Sequence, residues 1–164
     1  MKIRVIDFGI ITQHYKTYRE GMDLIEIEKD FYIESLQPLK KELQNLMINS
    51  SNSSIYDRRL REQKADKFES LQKDALELES NFNEKIKKMN DQITIKVFKE
   101  LELIIKEWAE NNQIDLVTSK MEVIFNSPQT EATQEIIQIL KDKNLFVDYQ
   151  PQQENSTEPD IIQE

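Results

Sequence analysis

Apolar residues recur at spacings of three and four along most of this chain. The first series begins at Tyr18, and only Lys29 interrupts it. The second lies in a stretch from about Ile55 to Asn111 that contains no glycine or proline. Such seams are typical of long helices that pack side by side along their length. The seam residues are Tyr18, Met22, Ile25, Tyr32, Leu36, Leu39, Leu43 and Leu46, then Phe68, Leu71, Ala75, Leu78, Phe82, Ile86, Met89, Ile93, Val97, Leu101, Ile104 and Trp108.

The segment Asn49–Ser54 consists of small polar residues with a high turn tendency. It predicts the tip of a hairpin, with Leu43 level with Leu60 and Ile25 level with Leu78. The paired helices would form an antiparallel arm over residues 18–93. Gly21 and Pro38 are candidate hinges in its first helix.

At the end away from this tip, both helices are apolar over more than the seam. Leu24, Ile27, Phe31 and Ile33 lie outside the first seam, and Phe98, Leu103 and Ile105 lie outside the second. Because a wide apolar face must be buried by more than one partner helix, the hydrophobic body is expected at this end.

Short β-rich segments flank the helices. Residues Ile3 to Phe8 predict a strand stopped by Gly9, and 114–118 and 121–125 predict a hairpin that turns at Ser119-Lys120. Ile136, Ile137 and Leu140 then predict a short amphipathic helix that ends near Lys143. The predicted fold is therefore mostly α with a small β body, made from residues 1–17 and 94–147.

A sheet of three short strands with open edges is marginal in water, so the body is predicted to associate with other copies. The residues expected at this oligomer interface are Val5, Ile6, Ile114, Leu116, Val123 and Phe125.

Composition excludes most enzyme chemistry. The chain has no cysteine and one histidine, His14, and its two glycines, Gly9 and Gly21, are too far apart for a phosphate-binding loop. No catalytic residue, metal site or cofactor is predicted, and the protein is not expected to be an enzyme.

The net charge is −9, with 22 basic and 31 acidic residues, which argues against a general nucleic-acid binder. No apolar run approaches the roughly 18 residues of a membrane span. Residues 148–164 contain five acidic residues and no basic one, and predict a disordered tail. The first residues lack the apolar core of a signal peptide, so the chain is expected to be cytoplasmic, or periplasmic if a signal peptide was removed.

The order of elements resembles the OmpH/Skp chaperone family. The resemblance is carried by Ile3-Arg4-Val5-Ile6-Asp7, the helical hairpin, the two segments Ile114–Val117 and Val123–Asn126, and Glu131-Ala132-Thr133 before the last helix. It implies a homotrimer whose three arms enclose a cavity, and ATP-independent holding of unfolded outer-membrane proteins in the periplasm. Members of that family are commonly basic, whereas this chain is acidic overall.

The start of the second helix is nevertheless locally positive. Residues 55–73 contain six basic and four acidic side chains. If unfolded proteins are held partly by charge, the candidate contacts are Arg58, Arg59, Arg61, Lys64 and Lys67.

Two other functions fit the same pattern. A coiled-coil scaffold or adaptor would have the same seams without holding other proteins. A prefoldin-like chaperone normally has its β-hairpin between its two helices, whereas here the predicted strands flank both ends.

Overall fold

The computed structural model describes residues 1–51 and 58–151, and it consists of a long helical arm on a small mixed body. In chain order the elements are β1 (Ile3–Ile6), α1 (Phe8–His14), α2 (Lys16–Ser51), α3 (Arg58–Asn111), β2 (Leu116–Ser119) and α4 (Thr133–Asp142). A single 3₁₀ turn, Lys120–Glu122, follows β2. The predicted combination of a mostly helical chain with a small β body is confirmed.

Helices α2 and α3 pair through the predicted seams. Each seam residue is buried or half-buried, and the charged positions between them are largely exposed. In the middle of the arm, Tyr32 stacks on Phe82 with 4.1 Å between ring centroids. Nearer the tip, Lys67 Nζ lies 2.5 Å from Glu42 Oε1.

These contacts show that the predicted register of the arm is wrong. Tyr32 lies beside Phe82, so Ile25 cannot lie level with Leu78, and Leu43 cannot lie level with Leu60. The error arose because Asn49, Ser50 and Ser51 continue α2 instead of starting the tip. The rest of the predicted tip, Asn52–Ser54, lies outside the described residues, as does the predicted start of the second helix at Ile55.

The first strand is shorter than predicted, and a helix that the hydrophobic pattern did not reveal follows it. Asp7 ends β1 and caps α1, where its side chain accepts a hydrogen bond from the Ile10 backbone N–H at 3.1 Å. Phe8 and Gly9, read as the end of a strand, form the first turn of this helix.

The sheet also differs from the prediction. β2 pairs with β1 in parallel, with Ile3 opposite Leu116 and Ile6 opposite Ser119. Val5 bonds on its other side to the segment before α4: its N–H donates to Thr130 O at 2.8 Å, and its C=O accepts from Ala132 N at 2.9 Å. β1 is therefore the central strand.

The predicted hairpin over 114–118 and 121–125 is wrong. The Ser119 side chain accepts a hydrogen bond from Met121 N at 3.3 Å and starts the 3₁₀ turn. A Ser-Lys pair lacks the residues that favour the left-handed backbone of a tight hairpin. The chain therefore leaves the sheet, and Val123 and Phe125 are not in a strand.

The core of the body lies where α1, α4 and the last turns of α3 meet. Ile11, Leu101, Ile136 and Leu140 are fully buried there, and Trp108 packs with them. The predicted amphipathic helix is thus confirmed as α4. Through Val97 and Leu101 the core is continuous with the arm seam.

Candidate functional site

The described residues contain no metal-binding cluster. No group of three or more histidine or carboxylate side chains among them could hold a metal ion. No described helix is both long and apolar enough to cross a membrane. Three surfaces of the described residues have features that favour binding, and they are the candidate sites.

The first surface, called the arm stripe here, consists of Leu24, Ile27 and Phe31 on α2. Their three-and-four spacing places them along one side of the helix, next to the seam. Their side chains are 58%, 64% and 64% exposed, although the seam residue Ile25 is only 2% exposed. Adjacent large apolar side chains in water are typical of a binding surface.

A ridge of lysines on α3 lies beside the arm stripe. Lys85, Lys88, Lys96 and Lys99 follow helical spacing and are exposed. Lys96 shares a groove of about 290 Å³ with Leu24, and Lys85 shares one of about 140 Å³ with Phe31. The stripe and this lysine ridge therefore face the same side of the arm.

The second surface is the predicted basic tip. Arg58, Arg59 and Arg61 are exposed in the first turn of α3, and Arg58 Nε lies 3.1 Å from Glu62 Oε1. Lys64 is half-buried, and Lys67 pairs with Glu42 across the arm. The structure thus places the first three at the surface, whereas Lys67 also contributes to helix pairing.

The third surface is on the body. A largely apolar groove of about 710 Å³ lies between the start of α1, the end of α3 and β2. Met121 lines this groove, and together with Ile124 and Phe125 in the segment that follows it extends into solvent, with exposures of 92%, 107% and 83%. Water-exposed side chains of this size indicate a surface that another chain covers.

The predicted interface residues divide between the inside and the outside of the chain. Val5 and Ile6 are buried within the chain itself, and Ile114 packs at the edge of its core. Val123 is half-buried, whereas Leu116 and Phe125 are exposed. Of the six, only Leu116 and Phe125, at 48% and 83% exposure, are open to contact with a second copy.

Polar contacts hold the start of the arm to the body. Tyr15 donates a hydrogen bond from its hydroxyl to Glu100 Oε2 at 2.8 Å, and Thr17 donates to the same oxygen at 2.9 Å. Burial and the neighbouring Glu100 carboxylate raise the pKa of Tyr15 above 10.0. Tyr15 therefore stays protonated as the donor.

A second polar cluster joins β1 to α4. Thr133 accepts a hydrogen bond from Asp7 N at 2.8 Å, and its own N–H donates to Glu131 Oε1 at 3.0 Å. Partial burial disfavours ionised Glu131, but the bonds from Thr133 and the charge of Lys120 outweigh it. The net effect lowers the pKa of Glu131 below 4.5. This acid-x-Thr segment therefore ties the central strand to the last helix.

A segment that the sequence analysis assigned partly to the tail closes the body. Residues Leu145–Tyr149, called the C-terminal strap here, cross the junction between α1 and α2. Val147 N donates to His14 O at 2.8 Å, and Lys16 N donates to Leu145 O at 2.9 Å. The guanidinium carbon of Arg19 lies over the Tyr149 ring, 3.7 Å from its centroid. The predicted tail therefore does not begin at Asp148. Tyr149, an aromatic residue in a polar segment, is the sequence feature that could have indicated this contact.

Comparisons with known proteins agree on one family. The model of the family described as outer membrane protein (OmpH-like) matches residues 2–140. A crystal structure from Caulobacter crescentus CB15, provisionally assigned as an OmpH-like outer membrane chaperone, superposes with a TM-score of 0.74 at 9% identity. The match covers 90% of this chain and 88% of that one. No curated protein sequence matches this chain significantly.

Proposed function

Because the chain belongs to the OmpH-like family, a chaperone family without enzymatic activity, we propose that it is an ATP-independent holdase for unfolded proteins. The proposed clients are proteins of the outer-membrane type. The observation that carries the proposal is the arm stripe, which leaves three large apolar side chains in water on a well-formed helix. On a helix with no binding role, such a surface would lower the solubility of the protein.

Holding requires many weak contacts instead of one precise site. Transmembrane β-strands alternate apolar and polar residues, so an unfolded barrel protein offers short apolar segments throughout its length. The arm stripe offers a complementary surface at the root of the arm. Contacts of this kind keep a client soluble without fixing one conformation.

The proposed assembly is a homotrimer joined through the body. The support is the exposed Met121, Ile124 and Phe125 next to the apolar groove. In addition, β2 pairs only with β1 among the described strands, so its outer edge is open to pairing. A neighbouring copy would cover all three features, and the arms would then surround a shared space.

We place the protein in the periplasm, where unfolded outer-membrane proteins cross from one membrane to the other. This location follows from the proposed clients, and it requires a signal peptide in the full precursor. Fractionation of cells that express the natural coding region, with detection of the mature N-terminus, tests it. Retention in the cytoplasm would contradict it.

Suppression of aggregation tests the holdase proposal. An unfolded outer-membrane β-barrel protein is diluted from urea with and without the chain, and light scattering is followed. We expect an equimolar amount of assembled chain to suppress scattering without added ATP. Unchanged scattering would favour the coiled-coil scaffold instead.

A variant pair shows whether the arm stripe is responsible. Leu24→Ser with Phe31→Ser should weaken client binding by at least about tenfold, since complete burial of each apolar side chain is worth about 1.5–3 kcal/mol and about 1.4 kcal/mol corresponds to tenfold. Ile33→Ser with Leu76→Ser is the matched control, because both residues are comparably exposed but lie off the stripe. Equal losses of client affinity in the two variants would mean that client binding depends on general surface hydrophobicity and not on the arm stripe.

We also propose that the basic tip contributes to client binding by charge. Replacing Arg58, Arg59 and Arg61 with Glu should weaken client affinity and reduce its dependence on salt, because exposed charges are screened at high ionic strength. Little folding energy depends on these residues, since exposed ion pairs contribute under about 1 kcal/mol each.

The control for the tip replaces Lys41, Lys73 and Lys87 with Glu and changes the net charge equally. Affinity is measured at low and high salt for both variants. If the two lose affinity equally, net charge is responsible and the tip has no specific role.

A further inference from the structure

The arm stripe and the lysine ridge together form an amphipathic docking surface on one side of the arm. Leu24 and Lys96 line one groove between the two helices, and Phe31 and Lys85 line the next groove toward the tip. The α2 wall is apolar at its outer rim, and the α3 wall is cationic. A segment that fits this surface must carry both apolar and acidic side chains.

The charge of the ridge is only partly compensated. Lys85 pairs with Glu28 at 2.5 Å, and Lys88 pairs with Glu84 at 2.7 Å. Lys96 and Lys99 are exposed and make no ion pair with the residues that the structure describes. Glu20 also lines the groove beside Lys96, so the cationic character is strongest from Lys96 along α3 to Lys99.

The C-terminal residues of this same chain have the matching composition. Residues 152–164 contain Glu154, Glu158, Asp160 and Glu164, with no basic residue. The adjacent pair Ile161-Ile162 is their apolar element. This combination of acids around an isoleucine pair complements a cationic and apolar groove.

The C-terminal strap brings these residues to the root of the arm. Tyr149 lies against Arg19 on α2, and the described chain ends at Pro151. From Arg19 to Phe31 the helix rises about 18 Å. Thirteen further residues can extend about 43 Å. Residues 152–164 are therefore tethered within reach of the whole stripe.

We propose that residues 152–164 bind in this groove of their own chain, with Ile161-Ile162 on the arm stripe and their carboxylates on Lys96 and Lys99. Tethering makes even a weak contact effective, because a short linker supplies a local concentration of order 1 mM. The binding of residues 152–164 in the groove does not depend on the proposed function. The consequence of this binding rests on the proposed function: the C-terminal residues compete with clients and limit non-productive binding.

Site-specific cross-linking tests the seating without any client. The chain has no cysteine, so two introduced cysteines define a unique pair. Gln163→Cys is combined with Gln92→Cys, which lines the groove, and the pair is treated with a short bismaleimide. The matched control combines Gln163→Cys with Asn90→Cys, which lies two residues away and about 200° around the same helix.

We expect the groove pair to cross-link at least about threefold faster than the control pair, as preferential occupancy at millimolar local concentration implies. Lys96→Glu with Lys99→Glu should abolish the preference, whereas Lys73→Glu with Lys87→Glu should not. About 0.5 M NaCl should reduce it, because the charges are exposed. Equal rates at the two positions would overturn the proposal. Cross-links found only between differently tagged copies would overturn seating in the same chain.

The functional consequence is measured separately. Deletion of residues 152–164 should raise client affinity about threefold, by the same local-concentration estimate. A synthetic peptide of residues 152–164 should reverse the gain, and one with Ile161→Ser and Ile162→Ser should not. If cross-linking shows that residues 152–164 bind in the groove but their deletion leaves client affinity unchanged, competition with clients is refuted and binding in the groove is retained. If no client binds at all, the proposed function fails while the cross-linking result remains valid.

Discussion

Gly21 shows how a single residue sets the distance between the arm helices. It is buried in α2, and a Cβ atom at its position would lie 2.8–2.9 Å from three side-chain atoms of Ile93. Since real contacts are not that short, the helices meet this closely only because Gly21 has no side chain. Gly21 therefore allows close packing, and its role as a hinge stays a prediction.

We expect Gly21→Ala to destabilise the chain by about 1–3 kcal/mol, as is typical of overpacking. The loss should appear although alanine favours a helix by about 1 kcal/mol over glycine. Urea unfolding gives the free energy of unfolding. Gly9→Ala is the control, because a Cβ there meets Asp7 Oδ1 at 3.4 Å, an ordinary contact.

The cause is checked by removing the atoms that clash. In Gly21→Ala/Ile93→Ala, the combined loss should be smaller than the sum of the two single losses, since the new methyl group would occupy the vacated space. Additive losses would assign the effect to something other than this contact.

Glu131 gives the body a defined dependence on acid. Its pKa is lowered in the folded chain from an ordinary value of 4.5. A depressed carboxyl pKa contributes stability that is fully present above the unfolded value and is lost as pH falls through the folded value. We therefore expect the stability difference between wild type and Glu131→Gln to shrink below about pH 4.5 in thermal unfolding scans.

Glu84 is the comparison for this prediction. The hydrogen bond and charge of Lys88 also lower its pKa, but Glu84 is fully exposed, so solvent screens the interaction. Glu84→Gln should leave the acid dependence almost unchanged. A similar response in both variants would mean that general charge governs acid stability.

At the scale of elements, the arm and the body differ in how much they bury. Leu71 is the one buried residue toward the tip side of Tyr32 and Phe82 within the described part of the arm. The body, by contrast, has a cluster of ten buried residues. Because local stability follows burial, the distal arm should open without unfolding the body.

Leu71→Asp tests this separation. A charge in the seam should increase hydrogen exchange in the distal halves of α2 and α3 by at least about tenfold, the equivalent of 1.4 kcal/mol. Exchange in α4 should not change. Leu76→Asp, five positions along and 66% exposed, should leave exchange in both regions unchanged. Faster exchange throughout the chain in Leu71→Asp would show that arm and body unfold as one unit.

At the scale of the whole molecule, we propose that a second copy covers the exposed apolar surface of the body. Phe125→Asp should weaken self-association by at least about tenfold, as expected for a buried aromatic anchor. Sedimentation at micromolar concentration measures this effect, and circular dichroism checks that the helices persist. Leu116→Asp should act in the same direction, and Leu76→Asp should leave association unchanged. A compact wild-type monomer at this concentration would refute the trimer.

Helix pairing could be predicted from the sequence because it depends on local periodicity. Every apolar seam residue from Tyr18 to Leu46 and from Phe68 to Trp108 is buried or half-buried as the three-and-four spacing requires. The same holds for Ile136, Ile137 and Leu140 in α4. The excess apolar residues Leu24, Ile27 and Phe31 were also visible, since they fit no seam, but within this chain they are exposed and not buried as expected.

The tertiary structure alone decided the features that depend on contacts between distant residues. A heptad repeat is satisfied by more than one alignment, so the register that places Tyr32 on Phe82 depends on where each helix ends. The parallel pairing of Ile3 with Leu116 joins residues separated by the whole arm, and no local pattern reveals it. Likewise, the place of Tyr149 under Arg19 is set by the position of α4, because only the folded body brings these residues together.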